Sequence, residues 1–256
     1  MRISISKDNL KQGITGTAGL LAVLVLWALL AQNYHPLILP SPRDTLMALA
    51  DLHESGSLWL NIGITLKRTL LGYCLALLGG FILALLLRSF TFWQALTRPL
   101  ITIIQVIPPV IWLLLAVIWF GIADDLTPVF LIFIVTFPMT YVNMAASLET
   151  IDPKLVEMAR VYRTPRKKIV TQIYLPSLIP QLVSNISVGI SFAWKSTIFA
   201  EYMGSTSGVG YALSVANANL ETDKLFAWAM VLVCVMLFCE YGILRPMERR
   251  VMRWSA

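Results

Sequence analysis

Two stripes of polar side chains hold most of the chemistry this sequence offers. Ser184, Ser187, Ser191 and Lys195 recur at spacings of three and four residues, so on a helix they share one face roughly 80° wide. Thr136, Thr140, Asn143 and Ser147 form a second such face earlier in the chain. Rows of small hydroxyls offer a polar solute short-lived hydrogen bonds without trapping it, which makes both faces candidate linings of a polar path. A plainer role also suits them, because Ser and Thr allow close helix packing and bond back to their own helix. Three roles suit Lys195: attracting an anion, snorkelling to an interface, or pairing with a carboxylate.

Nothing in the sequence points to bond-making chemistry. Gly-x-Ser-x-Gly, His-Glu-x-x-His and paired-cysteine motifs are absent, as is the Walker A pattern that cradles ATP. His35 and His53 are too few and too far apart for a metal centre and read as surface residues. Cys74, Cys234 and Cys239 lie inside apolar runs and read as small hydrophobes. No catalytic residue, metal ligand or cofactor is expected on this chain.

The elements that carry these residues follow from composition. Of 256 residues, 57% are hydrophobic and 13% charged, with a mean hydropathy of +0.74. A soluble domain carries about 25% charged residues and 45–50% apolar ones. The apolar residues fall in six blocks, near 14–32, 69–87, 99–121, 126–146, 178–200 and 225–244, each about long enough to cross 30 Å of hydrocarbon. The fold expected is all-α, one transmembrane helical bundle over 1–256 with no second domain. The first block follows Arg2, Lys7 and Lys11 and is too long for a signal-peptide core, so it reads as a retained span.

Charge sets the orientation. Fifteen Lys and Arg fall in segments on the side of the N-terminus, against Arg43, Lys67, Arg68 and Lys224 on the other, with Lys195 inside a span. Both termini are therefore expected in the cytoplasm. The net charge of +6 serves topology, and no nucleic-acid partner is expected. Between the first two spans, Thr45–Leu52 reads as a short interfacial helix ended by Gly56 and Ser57. Pro108-Pro109 and Pro138 should bend their spans, and Gly79-Gly80 allows close helix approach. Glu240 is within reach of Arg245 or headgroup water and receives no role.

The longest inner loop, 151–176, is built like two short helices. Asp152-Pro153 is an N-cap and first-turn pair, and Thr164-Pro165 repeats the device twelve residues on. Leu155, Val156, Ala159 and Val161 should supply apolar contacts, with Glu157 and Arg160 facing elsewhere. The second helix should begin at Arg166-Lys167-Lys168 and end before Pro176. Such a pair suits docking onto a cytoplasmic partner and equally suits resting on lipid headgroups.

Glu157-Met158-Ala159-Arg160, with Ile173-Tyr174-Leu175-Pro176 downstream, resembles the Glu-Ala-Ala coupling loop of binding-protein-dependent ABC importer permeases. Leu39-Pro40-Ser41-Pro42, Ile107-Pro108-Pro109, Trp119-Phe120-Gly121 and Ala200-Glu201 with Ser205–Tyr211 are similar to the nitrate/sulfonate/taurine branch, so the resemblance covers roughly 39–254. It implies a type I, MetI-like importer fold in a bacterial inner membrane. It also implies a pair of ATPase subunits that bind ATP and magnesium, a second permease subunit (a homodimer, or a pair of related chains) and an extracytoplasmic substrate-binding protein. Glu157, Met158, Ala159, Arg160, Arg163, Thr164 and Pro165 would couple to the ATPase. Glu201, Ser205, Gly208 and Gly210 would form an outer gate, with Glu201 accepting amides of the Ser205–Gly210 turn or touching solute.

Solutes of that branch include sulfonates, taurine, nitrate, bicarbonate, thiamine pyrimidines and riboflavin, and selectivity resides mostly in the binding protein. One departure stands out: the family's usual glycine six residues after the Glu is Arg163 here. A left-handed turn there costs a side chain about 1 kcal/mol, so Thr164-Pro165 is expected to set the turn instead. The alternative function is an ion-coupled carrier or channel, but span interiors are nearly free of acids and no internal repeat appears.

Overall fold

The computed structural model describes residues 7–88, 90–122 and 125–255; Arg2 lies outside them. Among the described residues all regular structure is helical. The helices are α1 (Lys7–Ala31), α2 (Pro42–Glu54), α3 (Ser57–Leu87), α4 (Thr91–Val106), α5 (Pro109–Phe120), α6 (Leu126–Glu149), α7 (Pro153–Val161), α8 (Arg166–Ile169), α9 (Leu175–Gly204), α10 (Val209–Ala218), α11 (Thr222–Leu237) and α12 (Arg245–Ser255). π-Helical stretches at Val170–Tyr174 and Phe238–Leu244 join α8 to α9 and α11 to α12.

Among the described residues, four continuous helical stretches are long and apolar enough to cross a bilayer: Ser57–Leu87, Leu126–Glu149, Lys167–Gly204 and Thr222–Val251. Phe92–Val106 and Pro109–Phe120 make a fifth if that bent pair counts as one span. The count expected from sequence was six. In α1 the described apolar portion, Leu21–Ala31, is shorter than a span, and the block at 99–121 is not a single rod. It turns through 91° at Ile107–Pro108. Two successive prolines remove two backbone donors and exclude helical geometry from the residue before each, so the bend becomes a corner. Trp112 Nε1 donates to the Ile104 carbonyl at 3.3 Å across it. α4, α6 and α9 run unbroken through Pro99, Pro138 and Pro180.

The chain divides into two compact units. The first comprises Met1–Trp59 and Leu213–Val231. Its α2 covers the short helix expected over Thr45–Leu52 and is longer, because Ser41 and Asp44 form a capping box with Pro42 in the first turn. Ser55 caps its C-terminus and Gly56 follows at φ 71°, where a side chain would be strained. Trp27 donates to the Pro40 carbonyl at 3.0 Å and stacks on Phe226 at 5.8 Å.

The second unit comprises Leu60–Ala212 and Leu232–Ala256. Its core is the α6–α9 seam, with α3 against both. Glycines on α3 and α9 set the approach. A Cβ on Gly72 would sit 2.7 Å from Ile132 Cβ, one on Gly80 2.9 Å from the Tyr141 amide, and one on Gly189 2.3 Å from the Tyr73 hydroxyl. Tyr73 and Asn185 fill the seam, with the Tyr73 hydroxyl donating to the Asn185 carbonyl at 3.1 Å. Tyr141, Met144, Leu148 and Leu178 pack the inner end.

Candidate functional site

At the inner face the 151–176 segment folds as a helical hairpin. Asp152 Oδ1 accepts the Lys154 amide at 2.9 Å, which caps α7 as its sequence implies. Val156 and Ala159 pack inward against Ile169, with Ile173 and Tyr174 beside them. Leu155 and Val161 do not join this contact, contrary to the expectation from sequence; they are 43% and 79% exposed. With Met158 and Tyr162 they leave an apolar surface on α7 facing away from its partner helix. Glu157 is exposed beside it. The side chain of Arg160 lies outside the described residues.

The turn itself differs from expectation. Arg163 takes φ 52°, so the left-handed residue stands where the family's glycine would, and Thr164-Pro165 does not replace it. The reason is local: Pro165 bars Thr164 from helical geometry, and the reversal falls one residue earlier. The Thr164 amide then closes on the Ala159 carbonyl at 2.9 Å, satisfying an orphan at the end of α7. The second helix does not stop before Pro176. It passes through the π-helical stretch, where the Leu175 amide bonds back five residues to Val170, and becomes α9. The wider turn absorbs the missing amide and ring of Pro176.

In the bilayer-spanning part, a cavity of about 400 Å³ is lined by Ser187, Ser191 and Lys195 of α9, with Met139, Glu240, Arg245 and Glu248 among its other walls. α9 runs from inside to outside, and helical side chains lean toward their N-terminus. Lys195 therefore leans inward along α9 and lines the same cavity as Ser187 and Ser191. Among the described residues Lys195 has no ion-pair partner, whereas Arg245 lies 3.7 Å from Glu240 and over the Tyr241 ring. The Ser187 and Ser191 hydroxyls donate to the carbonyls of Val183 and Ser187 at 3.3 and 3.1 Å. Ser184 is exposed outside this cavity.

The α6 stripe sits differently. Thr136 and Thr140 are buried and each donates to the carbonyl four residues back, at 2.6 and 3.0 Å. Asn143 Nδ2 bonds Asn185 Oδ1 at 2.9 Å across the α6–α9 seam, and Ser147 donates to Asn143.

At the outer end, Glu201 is fully buried. Its Oε1 accepts Arg68 Nη1 at 3.0 Å, and its Oε2 accepts the Thr65 hydroxyl at 2.8 Å and the Gly210 amide at 3.0 Å. Arg68, 1% exposed, also reaches Asp125 Oδ1 at 2.7 Å and the Ser207 carbonyl and hydroxyl at 2.7 and 2.9 Å. The Gly208 and Val209 amides donate to Asn61 Oδ1 and Thr65 Oγ1 at 3.0 and 2.9 Å. Ser205 Oγ closes the turn by donating to the Ser207 carbonyl at 3.1 Å. Gly208 sits at φ 99° with no room for a Cβ, which would fall 2.3 Å from the Glu201 carboxylate. A Lys67 hydrogen bond, with Arg68 beside it, holds the Asp125 carboxyl below the usual carboxylate range against partial burial that acts the other way. Removing one partner of a buried pair such as Arg68–Glu201 costs on the order of 3–5 kcal/mol.

Lys67 and Arg68, expected in the outer segment before the second span, prove to be helical, because α3 begins at Ser57. The missed signal was periodicity: Asn61, Thr65, Arg68 and Gly72 recur at four, three and four residues, one polar face.

A helical protein with several long apolar spans, an exposed inner hairpin and polar groups turned into the bundle has the build of a multi-pass membrane protein. The family described as "Binding-protein-dependent transport system inner membrane component" matches residues 76–251, and the chain belongs to it. The putative aliphatic sulfonates transport permease SsuC of Escherichia coli is 30% identical over 223 residues, covering 85% of this chain and 82% of that protein. The taurine transport permease TauC of the same organism is 26% identical, covering 96% and 91%. SsuC of Bacillus subtilis is 27% identical, covering 85% and 78%. Among solved structures, an amino acid ABC transporter chain superposes with a TM-score of 0.62 at 18% identity, covering 79% of this chain and 97% of that one. A chain of the inward-facing MetNI methionine ABC transporter gives 0.60 at 16%, covering 77% and 95%. The chain is thus an inner-membrane importer permease of the branch containing the sulfonate and taurine permeases, with the fold of the MetNI permease.

Proposed function

We propose that this chain, paired with a second identical copy, forms the translocation path for a small organic anion of the sulfonate type. An extracytoplasmic binding protein delivers the solute, and a separate pair of ATPase subunits, which hold ATP and magnesium, drives its passage. The observation that carries this reading is the α7 hairpin: an apolar surface of Leu155, Met158, Val161 and Tyr162 stands exposed on a helix whose partner runs on into α9. That surface is a docking face for a soluble engine, since an isolated apolar patch in water is otherwise a liability. α9 carries Ser187, Ser191 and Lys195 along a polar cavity, so movement at the hairpin acts on the path through one helix.

The solute class is supported by the sulfonate and taurine permeases among the relatives and by Lys195. The serine hydroxyl protons are committed to backbone carbonyls, so the ammonium is the ready donor for an anion. Glu201, Ser205, Gly208 and Gly210 form the outer gate. Replacing Glu157 by Arg together with the exposed Met158 by Asp should abolish co-purification of the ATPase subunits while leaving membrane insertion and the hairpin's own packing intact. Normal assembly of that double variant removes the docking role. Uptake that continues after the ATPase is inactivated returns the carrier alternative. A thermal-shift screen of the cognate binding protein with sulfonates, thiamine pyrimidines and riboflavin decides the solute class.

A further inference from the structure

Arg68 lies outside every residue set that the coupling hairpin and the solute path employ, yet from α3 it reaches three other chain segments at the second unit's outer end. Its guanidinium holds the first residues of α6 through Asp125, the end of α9 through Glu201, and the following turn through Ser207, all from α3. The turn is held a second way. The three successive amides of Gly208, Val209 and Gly210, which open α10 and have no partner within it, each meet a side-chain acceptor: Asn61, Thr65 and Glu201. The Glu201 carboxylate thus stands at the positive end of α10 as well as on Arg68. Gly208 and Gly210 admit no side chain against Glu201.

Lifting the 205–210 turn away would uncap α10 and strip the buried Arg68–Glu201 pair of the Ser207 carbonyl and hydroxyl and the Gly210 amide, leaving it only Thr65 and Asp125 as further partners. Resting on the permease reading above, we infer that Arg68 is the positioning residue of the outer gate. It binds the outer ends of α3, α6 and α9 and the 205–210 turn into one body that moves as a single piece when the gate opens and closes. Solute entry then occurs beside this body and not through it.

The test exploits the rim of the cluster. Lys67 and Asp125 form an ion pair at 2.7 Å whose side chains are 61% and 40% exposed. With Cys74, Cys234 and Cys239 replaced by serine, Lys67→Cys and Asp125→Cys are introduced into the full complex in membrane vesicles. A short, reversible dithiol-linking reagent is then added from the outer side. Uptake of radiolabelled taurine or ethanesulfonate by the linked protein should stay within twofold of the same variant unlinked. A tenfold loss, recovered on reduction, shows that α3 and α6 part during transport and overturns the inference. If the unlinked variant takes up solute without its ATPase, the permease reading has failed, separately from the clamp.

A second arm tests the guanidinium. Arg68→Gln should lower solute moved per ATP hydrolysed at least tenfold in complexes that still co-purify with the ATPase, and Arg68→Lys should recover part of it. A purely structural role would lower the amount of complex and leave the ratio unchanged, and that result overturns the assignment. Should Arg68→Gln fail to assemble, the linking arm decides alone.

Discussion

Arg163 offers the cleanest perturbation of the 151–176 hairpin. Its φ of 52° is disfavoured for an L side chain by about 1–2 kcal/mol. Glycine removes that cost but loosens the unfolded chain, which returns about 0.4–1 kcal/mol. Arg163→Gly should therefore tighten the hairpin by about 0.5–1 kcal/mol relative to Arg163→Ala, a two- to fivefold shift in the local opening equilibrium. The reporter is built in, because the Thr164 amide closes the turn on the Ala159 carbonyl at 2.9 Å. Hydrogen exchange of the peptide spanning 160–168 in detergent or nanodiscs should slow two- to fivefold in the glycine variant relative to alanine. Arg163→Pro, which cannot take positive φ, should open the turn outright. Equal exchange in the glycine and alanine variants would refute the left-handed turn as the constraint here.

Three further outcomes follow from the geometry. Gly72→Ala and Gly80→Ala should each lower thermal stability by about 1–3 kcal/mol through overpacking against α6, whereas Gly63→Ala, with nothing within 4 Å of its Cβ, should be neutral or slightly stabilising in the same melt. Asp125→Asn should destabilise at neutral pH by about 1 kcal/mol or less, since the carboxylate is 40% exposed. Because its folded pKa is depressed, the wild-type advantage is present above the ordinary aspartate range and closes as pH falls below about 4; a pH series of melts reads this directly, and a gap that persists in acid contradicts it. Lys195→Met should raise the KM for an anionic solute at least tenfold with ATPase assembly unchanged, and unaltered transport kinetics remove Lys195 from the path.

Much of this architecture is legible in the residues, and the failures have identifiable causes. Hydropathy places the long spans, and Asp152-Pro153 announces the start of α7, because both signals are local. Ser41-Pro42-Arg43-Asp44 also holds a local signal, the capping box, and reading it would have started α2 three residues earlier than Thr45. The start of α3 was missed because Lys67 and Arg68 look like loop charges when hydropathy alone is weighed. The burial of Arg68 depends on Asp125 and Glu201, 57 and 133 residues away, and no short window contains those partners. Pro176 was read as a helix stop, but the π-helical stretch before it relieves the steric cost. The backbone carries that remedy, and composition does not display it.

The right-angled corner between α4 and α5 has a consequence for where it can be placed. A helix start ordinarily bares four amide protons, which is forbidding in hydrocarbon. Pro109 has none to bare, Ile111 donates to the Pro108 carbonyl at 2.9 Å, and the Trp112 indole quiets a carbonyl at the end of α4. A chain that turns this way sheds much of its thirst for water at the fold point, so it can tuck an elbow into greasy surroundings that would reject an ordinary loop.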